Sequence, residues 1–139
     1  MKALPKARSA AECTALEQLP NIGPSLAADL RSLGIRHPIE LAARDPFVLY
    51  QRLCAQTGRR QDPCVLDTFM AVTDFMRGAA AAPWWHYTAQ RKLLFAGDLV
   101  FRADCPNLGL AIDAFDVLAA GVAPGDLDAI DPEQIFLVQ

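Results

Sequence analysis

The stretch LPNIGPSLAADL, residues 19–30, decides how this chain folds. It begins with a leucine and a proline, passes through Asn21-Ile22-Gly23 and continues from Pro24 with apolar residues at helical spacing. Proline is favoured at the first position of a helix, where its missing N–H has no intrahelical acceptor to lose. Gly34 then supplies a residue that commonly ends a helix. The stretch therefore predicts a tight turn between a short helix and a second helix that begins at Pro24.

Helix start and stop signals recur along residues 9–92 and predict a helical domain. A capping box, Ser9-Ala10-Ala11-Glu12, opens the first helix. Asp-Pro pairs at 45–46 and 62–63 provide an N-cap and a first-turn proline for two later helices. The predicted helices cover approximately residues 9–18, 24–33, 38–41, 46–57 and 64–77.

The segment LLFAGDLVF, residues 93–101, fits two structures. Two apolar triplets around Ala-Gly-Asp are compatible with a hairpin or with a broken helix. We favour a helix or an extended linker, because no other segment offers a sheet to join.

Composition places the chain among globular proteins. Hydrophobic residues make up 53% and charged residues 21% of the 139 residues, which is an ordinary globular balance. No apolar run approaches the roughly 20 residues that span a bilayer, and no apolar segment follows the basic N-terminus as it does in a secretory signal. The four cysteines lie far apart, without a CxxC pair. We therefore expect reduced thiols, a cytoplasmic location and no membrane partner.

The net charge of −3 hides a division along the chain. Residues 1–92 carry twelve Lys and Arg against eight Asp and Glu, a formal +4, whereas residues 93–139 carry Arg102 against eight acids, a formal −7. A mildly basic body is compatible with a nucleic-acid partner, and the acidic tail could fold over the binding face and weaken it.

The tail contains an internal echo of the opening stretch. A shift of 86 residues places Pro20-Asn21-Ile22-Gly23 on Pro106-Asn107-Leu108-Gly109, and nine of the 27 aligned positions, 20–46 on 106–132, are identical. The identities fall on turn and cap positions, which a fold constrains most. We interpret residues 93–139 as an acidic, helical extension that contains a degenerate second hairpin. A chance resemblance in an alanine-rich tail is the alternative.

Residues 19–27 match the helix-hairpin-helix pattern, in which a turn of the form h-P-x-h-G precedes a helix beginning P-x-L-A. Backbone N–H groups at such a turn, together with the positive end of the helix dipole, suit a phosphate without reading base sequence. The usual supporting lysine or arginine early in the second helix is absent. The turn therefore serves either as a phosphate site or as a structural corner and protein-docking surface. The candidate DNA-binding residues are Asn21, Ile22, Gly23, Ser25, Arg31, Arg59 and Arg60.

From about residue 10 to residue 92 the chain resembles the small bacterial helix-hairpin-helix family of pathogenicity-locus and mitomycin-resistance proteins. The match rests on residues 19–35, on Asp45-Pro46, on LYQRLCAQTGRRQDPCVLDTF (residues 49–69) and on Pro83-Trp84-Trp85. The resemblance implies a compact, SAM-domain-like bundle of about five helices. It implies little about activity, although the name mitomycin resistance hints at DNA cross-link damage.

Two further features carry a structural and a functional interpretation. Cys54 and Cys64 fall on the cysteine positions of that family and could form a dithiol or half of a metal site, but buried structural cysteines are commoner. The aromatic cluster of residues 84–87 precedes Arg91-Lys92 and could stack on bases, but a tryptophan pair more often covers the end of a helical core.

Taken together, the sequence predicts an all-α, non-enzymatic module without a cofactor. It has a helix-hairpin-helix bundle at 10–92 and an acidic extension at 93–139. The first hypothesis is weak, sequence-independent binding to the DNA backbone. The alternative is a protein-interaction adaptor that uses the hairpin and the acidic tail. A thiol- or metal-dependent enzyme would rest on Cys54 and Cys64 alone, and the sequence does not set the oligomeric state.

Overall fold

The computed structural model describes residues 4–103, 110–112 and 135–138. The chain forms two compact units, Met1–Tyr87 and Thr88–Gln139. The α-helices are α1 (Pro24–Ser32), α2 (Pro46–Thr57), α3 (Pro63–Met76) and α4 (Thr88–Ala103), and the strands are β1 (Leu110–Ile112) and β2 (Ile135–Val138). Short 3₁₀ helices cover Ala10–Glu12, Leu16–Gln18, Pro38–Ala43 and Trp84–Tyr87. The prediction of a helical bundle is confirmed.

Helices α2 and α3 begin and end where the sequence places their caps. The Asp45 carboxylate accepts hydrogen bonds from the N–H groups of Phe47 and Val48, at 2.8 and 3.0 Å. Asp62 accepts in the same way from Cys64, at 2.9 Å. Gly58 ends α2 in the left-handed conformation, with φ +66°, which costs a glycine little because it has no Cβ.

The core of the first unit is built around α3, which packs against α2 and against the 3₁₀ helices Pro38–Ala43 and Trp84–Tyr87. Leu66, Phe69 and Val72 on α3 have no exposed surface. Burial of each such side chain contributes about 1.5–3 kcal/mol to folding. The apolar residues of α3 therefore lie at the centre of the core of the first unit.

The predicted first helix, residues 9–18, is wrong. The chain instead forms two separate 3₁₀ turns, and Cys13 between them is extended, with φ −84° and ψ 103°. The side-chain oxygen of Gln18 accepts the N–H groups of Thr14 and Ala15, both at 3.0 Å. Those two donors are thus satisfied without the carbonyls that a continuous helix would offer them. Three apolar residues of this stretch are nevertheless buried: Cys13, Leu16 and Leu19.

In the second unit, α4 runs without a break through residues 93–101, so this segment is a helix and not a hairpin. Beyond it, β1 and β2 pair in parallel, with Leu110 opposite Ile135 and Ile112 opposite Val138. The expectation of a helical tail is therefore wrong for these seven residues. The reason given for a helix at 93–101, that no other segment offers a sheet to join, is also wrong. The turn echo at 106–109 lies outside the described residues. In the described part of the chain, no helix is both long and apolar enough to cross a membrane.

Candidate nucleic-acid interface

The turn that precedes α1 is held by its own backbone and by one left-handed residue. The N–H of Ile22 donates to the carbonyl of Leu19 at 3.3 Å, and the Ile22 side chain is only 1% exposed. Asn21 has φ +63°, a conformation that asparagine tolerates better than most residues. Ile22 therefore anchors the turn in the core, and its N–H is already engaged.

The three backbone donors that follow Ile22 have no hydrogen-bond partner in the described part of the chain. Among the described residues, no acceptor is found for the N–H groups of Gly23, Ser25 and Leu26, and Pro24 has none to offer. These are the N–H groups that the start of every helix leaves unsatisfied. A Cβ built on Gly23 would meet nothing within 4 Å, so an anion can approach this backbone closely. Two of the three donors, those of Gly23 and Ser25, belong to residues that the sequence names, and the third is Leu26 in place of Ile22.

Asn21 also joins the turn to a distant segment of the same unit. Its side-chain Nδ2 donates a 2.8 Å hydrogen bond to the carbonyl of Ala82, directly before Pro83-Trp84-Trp85. Glycine would adopt the left-handed conformation of Asn21 more easily than asparagine does. The structure gives the asparagine a reason, because glycine could adopt the backbone conformation but could not make this bond.

Lys6 is the residue that sequence reasoning misses. Its ammonium donates to the carbonyls of Glu17 and Leu19, both at 3.0 Å, and to that of Ile22. A cation therefore lies beside the turn, contributed by the segment before the first 3₁₀ helix and not by α1. No motif spacing signals this, since Lys6 lies 16 residues before Ile22.

The predicted arginines do not converge on one site in the described contacts. Arg31, on α1, forms an ion pair with Glu17 at 2.7 Å, and this hydrogen bond holds the pKa of Glu17 below its usual value. Arg59 and Arg60 are exposed and follow Gly58 at the end of α2. The guanidinium of Arg60 hydrogen-bonds the Tyr50 side chain. The turn and the arginine pair are therefore two separate features of the unit.

The two cysteines form no disulfide, and the Cys64 thiol is harder to ionise than an ordinary cysteine. Cys54 and Cys64 are unbonded to each other, and the Cys54 sulfur accepts the N–H of Gln61 at 3.3 Å. Burial, followed by the hydrogen bond to Asp62, raises the pKa of Cys64 to about 11. A reactive cysteine needs the opposite shift. Among the described residues, no group of three or more His, Cys, Asp and Glu is placed to hold a metal ion.

The tryptophan pair is half core and half surface. The two rings meet edge to face, with centroids 5.6 Å apart and planes at 86°, a favoured geometry for aromatic pairs. Trp84 is half-buried, whereas Trp85 is 59% exposed. Their 3₁₀ helix packs on α3, which fits the predicted covering of the core for Trp84 and leaves Trp85 at the surface.

Comparison with known proteins finds a relative and a family for most of the first unit. The mitomycin resistance protein McrB of Streptomyces lavendulae is 47% identical over 83 residues, which is 60% of this chain and 79% of that protein. No solved structure matches the chain. Residues 9–93 match the family described as pathogenicity locus, and they include the turn, its asparagine and the tryptophan pair. The chain belongs to the pathogenicity-locus family.

Proposed function

We propose that this protein binds the sugar-phosphate backbone of DNA, weakly and without sequence preference, as a non-enzymatic helix-hairpin-helix module. The observation that carries the proposal is the row of N–H groups of Gly23, Ser25 and Leu26, which have no acceptor among the described residues. The open space in front of Gly23 gives a phosphate access to them.

The chemistry of the turn suits a phosphate better than a neutral ligand. Helix α1 has nine residues, enough to place a partial positive charge at its N-terminus. The exposed side chain of Ser25 adds a hydroxyl donor beside its own N–H. Such groups contact the DNA backbone and not the base edges, so they position the protein without selecting a sequence.

The charge of the chain and its similarity to a mitomycin resistance protein also support DNA as the ligand. Residues 1–92, which include all but the last residue of the matched family region, carry a formal +4. Arg59 and Arg60 are exposed. Lys/Arg contacts dominate the affinity of proteins for phosphate backbones. The relative from Streptomyces lavendulae is named for resistance to mitomycin, an agent that damages DNA. We therefore place the proposed binding in the response to DNA damage.

A substitution that fills the donors without breaking the fold tests this proposal. In Gly23→Ser, the new hydroxyl at the N-cap would accept from the N–H of Ser25 or Leu26. Binding of the full-length protein to a fluorescent duplex and a fluorescent single strand is measured by anisotropy from about 50 to 200 mM salt. We expect the wild type to bind with a negative salt slope, and Gly23→Ser to bind about tenfold more weakly, the effect of losing one charge-assisted hydrogen bond.

Two matched controls separate the turn from general electrostatics. Gly97→Ser makes the same chemical change in α4, where a Cβ also meets open space, and should leave binding unchanged. Arg59→Ala/Arg60→Ala should flatten the salt slope by about two units, more than the equally charged Arg8→Ala/Arg44→Ala. A wild-type protein that binds neither probe at about 50 mM salt would contradict the proposal.

The second candidate function is a protein-interaction adaptor. Three large apolar side chains are exposed: Ile39 by 66%, Val48 by 48% and Trp85 by 59%. In addition, the charge of Arg31 is paired with that of Glu17. Large exposed apolar side chains are more typical of protein-binding surfaces than of DNA-binding ones. A photoreactive amino acid at Ile39 that cross-links one protein in the cell, combined with no DNA binding, would favour the adaptor.

A further inference from the structure

Three carbonyl groups of the turn region converge on a single ammonium. Lys6 Nζ donates to the carbonyls of Glu17, Leu19 and Ile22, which uses all three N–H donors of a lysine. Of the three, the bond to Ile22 joins the two residues that lie farthest apart along the chain, 16 positions. Lys6 is itself placed by the chain next to it, because the N–H of Ala7 donates to the carbonyl of Gln18 at 2.8 Å.

The peptide units that contain these carbonyls differ in what happens to their N–H groups. The Glu17–Gln18 unit uses its N–H, which donates to Ala15 at 3.0 Å, and the Leu19–Pro20 unit has no N–H. Only the Ile22–Gly23 unit combines a carbonyl bonded to Lys6 with an N–H that has no acceptor among the described residues.

Because a peptide unit is planar, the contact of Lys6 with the Ile22 carbonyl also fixes the direction of the Gly23 N–H. The chain has no cis peptide among the described residues, and in a trans unit the C=O and the N–H point in opposite directions. An ammonium that holds the Ile22 carbonyl therefore directs the Gly23 N–H away from itself and out of the turn. It also polarises the unit, which strengthens the hydrogen bond that this N–H can donate.

We infer that Lys6 is a positioning residue of the phosphate site, whose ammonium fixes and polarises the Ile22–Gly23 peptide so that the Gly23 N–H faces the ligand. This inference rests on the proposed function. It supplies the cation that the first turn of α1 lacks, at the carbonyl edge of the peptide and without direct contact with the phosphate.

Full-length Lys6→Met, which keeps the length of the side chain and removes the charge, tests the inference with two readouts. The first is the Gly23 amide resonance in the ¹⁵N–¹H spectrum, which should move upfield as the peptide loses its polarising partner. The second is anisotropy with a fluorescent duplex at about 50 mM salt, where we expect about tenfold weaker binding. Lys92→Met, an equal change of charge in α4, should do neither.

A rescue experiment distinguishes positioning from a general effect on folding. In Lys6→Ala, propylammonium can replace the missing ammonium, whereas tetramethylammonium at the same ionic strength has no N–H to donate. Recovery of binding and of the Gly23 resonance with propylammonium alone supports the inference, and Lys6→Arg should retain part of both. A folded Lys6→Met that matches the wild type in both readouts overturns the inference, as does equal recovery with the two cations. A wild type that binds no DNA overturns the proposed function, and the Gly23 resonance of Lys6→Met then still decides whether Lys6 sets this peptide.

Discussion

The side-chain amide of Asn21 bonds to the carbonyl of Ala82 at 2.8 Å, across 61 residues of chain. This bond connects the left-handed corner of the turn to the segment that leads into the tryptophan pair. The turn and Pro83-Trp84-Trp85 are two of the stretches on which the resemblance to the family rests. This hydrogen bond therefore links them directly in the folded chain. The hydrogen bond explains why a non-glycine residue occupies a position with φ +63°.

Substitutions of Asn21 should separate backbone conformation from the side-chain bond. Asn21→Gly keeps the left-handed corner and loses the bond to Ala82, so we expect a loss of about 1 kcal/mol in the free energy of unfolding. Asn21→Ala also introduces left-handed strain of about 1 kcal/mol and should lose about 2 kcal/mol. Urea unfolding measures both. Equal stability of the two variants would mean that the corner is not left-handed in solution.

Two glycines of the first unit should respond oppositely to a side chain. Gly58, with φ +66°, lies in a region that L-residues avoid, so Gly58→Ala should destabilise the protein by about 1 kcal/mol. Gly23 has φ −94° and ψ −179°, which any residue adopts, and Gly23→Ser should gain about 0.3 kcal/mol through helix capping. Thermal unfolding of both variants checks the pair. A destabilised Gly23→Ser would show that this backbone cannot accept a side chain, and the binding test at that position would then lose its meaning.

Releasing Arg31 should strengthen DNA binding. Glu17 pairs with Arg31 at 2.7 Å, so Glu17→Gln removes a negative charge and frees a cation on α1. We expect about two- to fivefold tighter binding at about 50 mM salt and a salt slope steeper by about 0.9. Anisotropy measures both quantities, and adding Arg31→Ala should cancel the gain.

The matched control for this change is Asp74→Asn, which breaks the ion pair of Arg77 with Asp74, 3.5 Å long. Arg77 keeps its bonds to the carbonyls of Ala42 and Arg44, so its charge stays where it is. Equal gains from Glu17→Gln and Asp74→Asn would show that net charge alone sets the affinity.

The sequence predicts α2 and α3 well because their cap residues and the hydrogen-bond partners of those residues are neighbours along the chain. Asp45, Asp62 and Gly58 each act within four residues of their own position, so the bounds of α2 and α3 follow from local pattern. The first predicted helix fails in two places. The Ser9 side chain caps no N–H group, and the Gln18 side chain accepts the N–H groups of Thr14 and Ala15.

The candidate site was harder to predict, because its parts meet only after folding. The turn itself is visible in residues 19–27, but the partners of Ile22 and Asn21 are Lys6 and Ala82. Neither partner stands at a motif spacing, and a lysine that binds carbonyls looks like any surface lysine in a sequence. Long-range contacts of this kind require the folded chain.

The Cys64 thiol should be slow to react near neutral pH. Its pKa of about 11 leaves a thiolate fraction of about 0.001 at pH 8, against about one quarter for an ordinary cysteine. Alkylation by iodoacetamide, followed on the Cys64 peptide by mass spectrometry, should therefore rise about tenfold per pH unit between pH 8 and 10. A rate that levels off below pH 9 would contradict the raised pKa and reopen the thiol-enzyme interpretation.

Asp62→Asn is the variant that isolates the cause of the Cys64 shift. Asparagine caps a helix as well as aspartate does, so α3 should keep its start, while the carboxylate that bonds to the thiol and repels the thiolate is gone. We expect the pKa of Cys64 to fall and its alkylation at pH 8 to accelerate. The rate should not reach that of a free cysteine, because burial is the largest cause of the shift.

The raised pKa of Cys64 also sets the sign of its effect on the pH dependence of stability. Between about pH 8.5 and 11 the unfolded chain releases a proton that the folded thiol keeps. The contribution of Cys64 to the free energy of unfolding is therefore complete below this window and lost as the pH rises through it. Urea unfolding at pH 8 and pH 10 should accordingly show a smaller loss of stability in Cys64→Ala than in the wild type.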